Sequence, residues 1–95
     1  YRVKEILGVV CGNVVMSKHL GRDIAAALKT RAGGEIKGYT EMLTEARNIA
    51  LERMIKEAEK LGADAVICFR FSSSTIMSGA AEILAYGTAV KLEKI

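Results

Sequence analysis

The sequence predicts an α+β subunit of a symmetric homo-oligomer, a small antiparallel sheet packed against one long helix plus a short helix in the order β-α-α-β-β. Three features carry that reading: a β-branched N-terminal stretch interrupted by glycines, a long segment of helical apolar period, and a C-terminal pair of alternating stretches around Ser78-Gly79. The chain has 95 residues, 51% of them apolar and 26% charged, with no proline, so residues 1–95 form one ordinary globular domain. A domain of this size buries only about two-thirds of the surface its unfolded chain exposes, which suffices for one core.

The first strand is read over Val3 to Met16, rich in valine and isoleucine and broken by Gly8 and Gly12. Glycine inside a strand marks a bend or the close approach of another backbone. After the turn-like Ser17 to Gly21, Ile24, Ala27 and Leu28 have helical spacing within Arg22 to Arg31, and Gly33-Gly34 ends that short helix. The long helix runs from about Tyr39 to Leu61. Gly62 closes it, and Lys60 in its last turn complements the helix dipole. Its apolar residues, from Met42 and Leu43 through Ile49, Leu51, Ile55 and Leu61, spread over about two-thirds of the circumference, whereas a helix facing one core needs a stripe only somewhat wider than ~100°. A second subunit is therefore expected to cover the excess.

The hairpin has a predicted register. A tight turn centred on Ser78-Gly79 sets Met77 opposite Ala80 and then pairs Phe71 with Tyr86, Phe69 with Thr88, Ile67 with Val90 and Ala65 with Leu92 on one side. The other side receives Ser72 with Ala85, Arg70 with Gly87, Cys68 with Ala89 and Val66 with Lys91. That second face is small, and Arg70, Cys68, Gly87 and Ala89 are the expected ligand or subunit-interface residues. A charge between Phe69 and Phe71 calls for a carboxylate, a carbonyl cluster or an anion.

Composition and motifs exclude several classes. The net charge of +3 comes from 14 basic and 11 acidic residues interleaved along the chain, with no basic patch for nucleic acid. The longest apolar run, about Ala63 to Phe71, contains Asp64 and is far shorter than the ~20 residues of a membrane span. No signal peptide is read, and because the chain begins at Tyr1 without methionine, a preceding piece of the protein is expected. Cys11 and Cys68 lack paired spacing and read as buried, reduced thiols of a cytoplasmic protein. With His19 they form a conceivable soft-metal set, but nothing has the close C-x-x-C spacing of a structural zinc site. Catalysis by a cysteine or by Ser72, Ser73 or Ser74 would depend on His19, the only histidine, held in a turn. The serines read as an exposed stretch, and Glu41, Glu45, Glu52 and Glu59 as a solvated helix face. Gly33-Gly34-Glu35 lacks the lysine of a phosphate loop. No catalytic residue, metal ligand or cofactor is assigned.

Taken together, Leu7-Gly8-Val9-Val10 with Gly12 and Val14-Val15, then Arg22-Asp23-Ile24, Gly33-Gly34, Glu45-Ala46-Arg47, Leu61 to Val66 and Gly87-Thr88-Ala89-Val90 resemble the YbjQ-like family of small proteins. The resemblance spans nearly the whole chain. It implies a dodecin-like subunit assembled into a pentameric ring, and members carry a heavy-metal-binding label without established catalytic residues. The sequence departs from the family where Cys68 stands at a position expected to hold glycine after Ala65-Val66-Ile67. The second departure is that the family's usual N-terminal segment ahead of Tyr1 is missing from this sequence, which is expected to remove part of the assembly contacts. The functional expectation is a non-enzymatic oligomer that is a scaffold or binds a small molecule or metal where subunits meet. The alternatives are a Cys/His metal binder and an enzyme with an intersubunit site.

Overall fold

A computed structural model describes residues 1–17, 37–77 and 80–95. Its elements are β1 (Arg2–Ser17), α1 (Lys37–Lys60), β2 (Ala65–Met77) and β3 (Ala80–Glu93). The strands form one antiparallel sheet in the order β1-β3-β2, so β3 is central and both β1 and β2 are edges. The expected short helix over Arg22 to Arg31 and the Ser78-Gly79 turn lie outside the described residues.

The long helix ends as its sequence requires. Gly62 has φ 76°, the left-handed conformation glycine adopts without a Cβ penalty. The Gly62 N–H donates to the Glu59 carbonyl at 2.9 Å and the Ala63 N–H reaches back to the Ala58 carbonyl at 3.1 Å, the two bonds of a Schellman cap. The chain is then tied straight to the sheet: the Asp64 N–H donates to Val90 O, and the Leu92 N–H donates to an Asp64 carboxylate oxygen, each at 2.9 Å.

One face of the sheet carries the helix. Val10, Ile83, Ala85 and Ala89 meet Ala46, Ala50, Met54 and Ala58, which recur every four residues along α1. Five of these eight side chains are alanine, so the two layers approach closely. Gly12 shows how closely: a Cβ built there would lie 2.3 Å from the Met54 amide nitrogen and 2.4 Å from the Ala50 carbonyl oxygen. The helix backbone rests on the strand at that point, the close approach expected of a strand glycine.

The hairpin register differs from the expected one. Met77 does pair with Ala80, but β2 then slips by one residue between Thr75 and Met77 and again between Ile67 and Arg70. Arg70 therefore faces Tyr86 rather than Gly87, Phe71 faces Ala85 rather than Tyr86, Val66 faces Ala89, Ile67 faces Thr88 and Ala65 faces Val90. The cause is a pair of β-bulges, each placing an extra residue on β2. In the second, Cys68 has φ 55°, the one positive value at a non-glycine residue among the described ones. Its consequence is that Val66 and Phe69, three apart, both pack against the helix-side core. The small residues Ala85 and Ala89 thus lie under the helix, and Gly87 is covered by Val66 of β2, rather than forming a free surface. β1 carries equivalent irregularities at Lys4 and Leu7, beside Gly8 with φ 137°.

The opposite face of the sheet is bare. Alternation from the register partners places Ile6, Val9, Cys11 and Val15 of β1 there with Leu84, Tyr86 and Thr88 of β3. Val9 is 77% exposed, Ile6 68%, Val15 55% and Tyr86 37%. Central-strand burial on this side reaches completion only at Val90.

Candidate functional site

The four residues expected to form one small face are divided by the bulges. Arg70 stays exposed on the bare face, and its guanidinium donates to the neighbouring Phe69 carbonyl at 2.8 Å. No carboxylate pairs with it among the described residues. Cys68 is exposed in the bulge. Gly87 is buried beneath β2, where a Cβ would meet Val66 Cγ1 at 2.5 Å, and Ala89 is fully buried against the helix.

Both cysteines are exposed, contrary to the buried thiols expected from their apolar neighbours. Cys11 points with Val9 and Val15 onto the uncovered sheet face, so apolar surroundings in sequence do not become apolar surroundings in the subunit. Cys11, Tyr86 and Arg70 are register partners in a row across the three strands. Because β3 separates β1 from β2, the strands bearing the two thiols lie about 10 Å apart, two interstrand spacings. A disulfide needs Cα atoms within about 7 Å. Among the described residues no three His, Cys, Asp or Glu side chains group as metal ligands, and His19 lies outside them. The described residues of one subunit therefore offer no grouped set of such ligands.

The left-handed backbone at Cys68 accounts for the glycine expected there. A side chain in this conformation costs roughly 1–2 kcal/mol, partly offset in glycine's case by its greater unfolded-state entropy. Cys68→Gly is expected to raise the unfolding free energy by about 1 kcal/mol, read from the denaturant midpoint at unchanged m-value. A destabilised variant would mean that the thiol contributes a contact exceeding the backbone strain.

Sequence reasoning missed a second region. The helix lies over β1 and β3 and barely touches β2, which leaves a seam between α1 and β2. One cavity of about 560 Å³ is lined by Leu51, Ile55 and Ala58 of the helix, Val66 and Phe69 of β2, and Glu59 and Asp64. Another of about 410 Å³ is lined by Leu43, Arg47, Met16, Phe71, Ser73 and Ile83. Phe69 and Phe71 make an edge-to-face pair, with centroids 4.8 Å apart, between the two. Arg47 is half-buried here and donates to the Thr44 hydroxyl at 3.2 Å. The available signal was its spacing four residues from both Leu43 and Leu51, a cation inside an apolar stripe. Ser72, Ser73 and Ser74 and the four glutamates at 41, 45, 52 and 59 are exposed, as expected. Among the described residues, no helix is long and apolar enough to cross a membrane.

A family model for YbjQ proteins, described as "Putative heavy-metal-binding", matches residues 1–93. The chain belongs to this family. Similar relatives bear the name UPF0145 protein. Those of Thermotoga petrophila and Thermotoga maritima are 95% and 94% identical over all of this chain and 90% of their own length. One from Vibrio campbellii is 64% identical over 95% of this chain and 86% of its own. Against that description, the two thiols stand on opposite edge strands, and among the described residues no metal-ligand group forms.

Proposed function

We propose that the chain is a non-enzymatic subunit of a symmetric homo-oligomer, a dodecin-like ring of five as the family resemblance implies, that holds a small molecule or metal where subunits meet. The observation that carries this reading is the bare sheet face. A three-stranded sheet with a helix on one side leaves Ile6, Val9, Val15 and Tyr86 in water, on a face that also carries the hydrogen-bonded Asn13 and Glu82, and exposed large apolar side chains gathered on one face support an interaction site. A closed ring covers the same patch on every copy without leaving an open end. Of the expected set, Arg70 and Cys68 are exposed, which supports assigning them to the contact with a neighbouring chain. A soft-metal site at such a junction would gather thiols from neighbouring copies, since the described residues of one copy group no ligands.

Sedimentation and native mass spectrometry of the purified protein test the assembly directly. The expected result is a single higher oligomer at micromolar concentration, and a stable monomer would overturn the proposal. Elemental analysis of the same sample distinguishes metal from other ligands: stoichiometric soft metal, lost in Cys68→Ser, would assign the junction to metal. Arg70→Ala is expected to weaken assembly by about 3–5 kcal/mol if the guanidinium is paired across subunits, because its partner is then left buried and alone. Unchanged assembly of that variant would remove Arg70 from the interface.

A further inference from the structure

We propose that the α1/β2 seam binds a long-chain carboxylate, a fatty-acid anion, with its head on Arg47 and its hydrocarbon tail running past Phe71 and Phe69 toward Ala58. This surface is on the helix side of the sheet, opposite the bare face that carries the assembly reading.

Three observations support the assignment. The first is shape. Two cavities of about 410 and 560 Å³ lie beside α1, and the paired Phe69 and Phe71 rings contribute one wall to each, each cavity being within the size range of small-molecule sites, ~300–1,000 Å³. From Arg47 to Ala58 the helix rises about 16 Å, enough for an extended dodecyl chain. The second is chemistry. The middle of the seam is apolar, with Leu51, Ile55, Phe69 and Phe71 on its walls, so a hydrocarbon tail loses contact with water along its length. The third is charge. Among the described residues, Arg47 is the one cation lining either cavity, it is half-buried, and its only polar partner is the Thr44 hydroxyl. A guanidinium has five donors in a fixed fork that matches a carboxylate, so most of its capacity is unused. Ser73 lines the same cavity and supplies a further hydroxyl.

The far end fixes the direction. Glu59 and Asp64 line the larger cavity, and Asp64 already accepts the Leu92 N–H. Two acidic side chains repel a carboxylate there, so the head group goes to Arg47 and the tail end stops short of the acids.

Calorimetric titration of the intact protein, in its native oligomeric state, with dodecanoate below its micellar concentration tests this. Saturable binding is expected, weaker for dodecanol and for hexanoate, which lack the head charge and the tail length respectively. Arg47→Ala should weaken dodecanoate binding by about tenfold or more while leaving dodecanol unchanged. Ile55→Glu should abolish binding of both, whereas Lys56→Ala, on the exposed side of the helix, should change neither. Equal affinity for dodecanoate and dodecanol in the unaltered protein would overturn the assignment of Arg47 as the head-group site. Absence of binding, together with a changed oligomeric state in Ile55→Glu, would show the seam to be filled by a second copy and would overturn the ligand proposal altogether.

Discussion

Gly12→Val is expected to destabilise the subunit more than any change at an exposed strand position, by about 3 kcal/mol or more. Overpacking is usually relieved when neighbouring side chains change rotamer. Here the nearest atoms to a new Cβ are the Met54 amide nitrogen at 2.3 Å and the Ala50 carbonyl oxygen at 2.4 Å. Both belong to hydrogen-bonded turns of α1, so relief requires the whole helix to lift from β1. Lifting it would loosen the contacts of Ala46, Ala50, Met54 and Ala58 with the sheet together, since they share one stripe. Gly8→Ala separates space from backbone conformation. A Cβ at Gly8 meets nothing within 4 Å, but its φ is 137°, so the expected loss is the smaller strain of forcing a side chain into that region, about 1–3 kcal/mol. Denaturant unfolding of both variants checks the order. Equal stability of Gly12→Val and the unaltered protein would mean that helix and strand are not in backbone contact at this point.

How much of this was legible in the sequence depended on whether one residue or a relation between residues decided the outcome. Strand and helix spans were readable because their signals are local and repeated. The stretch Val3 to Met16 became β1 over Arg2–Ser17, and the helix expected from Tyr39 to Leu61 runs over Lys37–Lys60. Gly12 and Gly62 each announced a backbone requirement that the structure meets. The register failed because it was propagated from the turn on the assumption of unbroken alternation. A bulge costs little locally and reverses every side chain beyond it. Nothing in Thr75-Ile76-Met77 signals one. Cys68 does carry a trace, since it stands where the resemblance called for glycine and adopts φ 55°. The small face was consequently found but misassigned: Ala85 and Ala89 are small because a helix must come close, not because another chain must. The exposure of Cys11 was hidden for a different reason. Apolar residues on both sides of a strand predict burial only if both faces are covered, and among the described residues the helix covers one.

The bare face yields the second large effect. Val9→Glu combined with Val15→Glu is expected to give a folded monomer. Within the subunit both side chains are already in water, at 77% and 55% exposure, and surface substitutions of this kind usually change stability by no more than about 0.5 kcal/mol each. In an assembly built on this face the same two positions would bury carboxylates beside Tyr86 and Leu84, their neighbours across β3. Neither has a basic residue as its register partner: Val9 faces Thr88, and Val15 faces Glu82. The second glutamate would therefore meet a like charge as well as losing its water, and an unpaired ion removed from water costs several kcal/mol. Repeated at every junction of a closed ring, that cost exceeds what apolar burial at these two positions contributes, roughly 1.5–3 kcal/mol for each fully buried valine. Sedimentation should show the monomer while far-ultraviolet circular dichroism keeps its native shape. Retained assembly with unchanged affinity would place the subunit contacts elsewhere, whereas loss of the native spectrum in an otherwise monomeric variant would show that the sheet depends on its neighbours to fold.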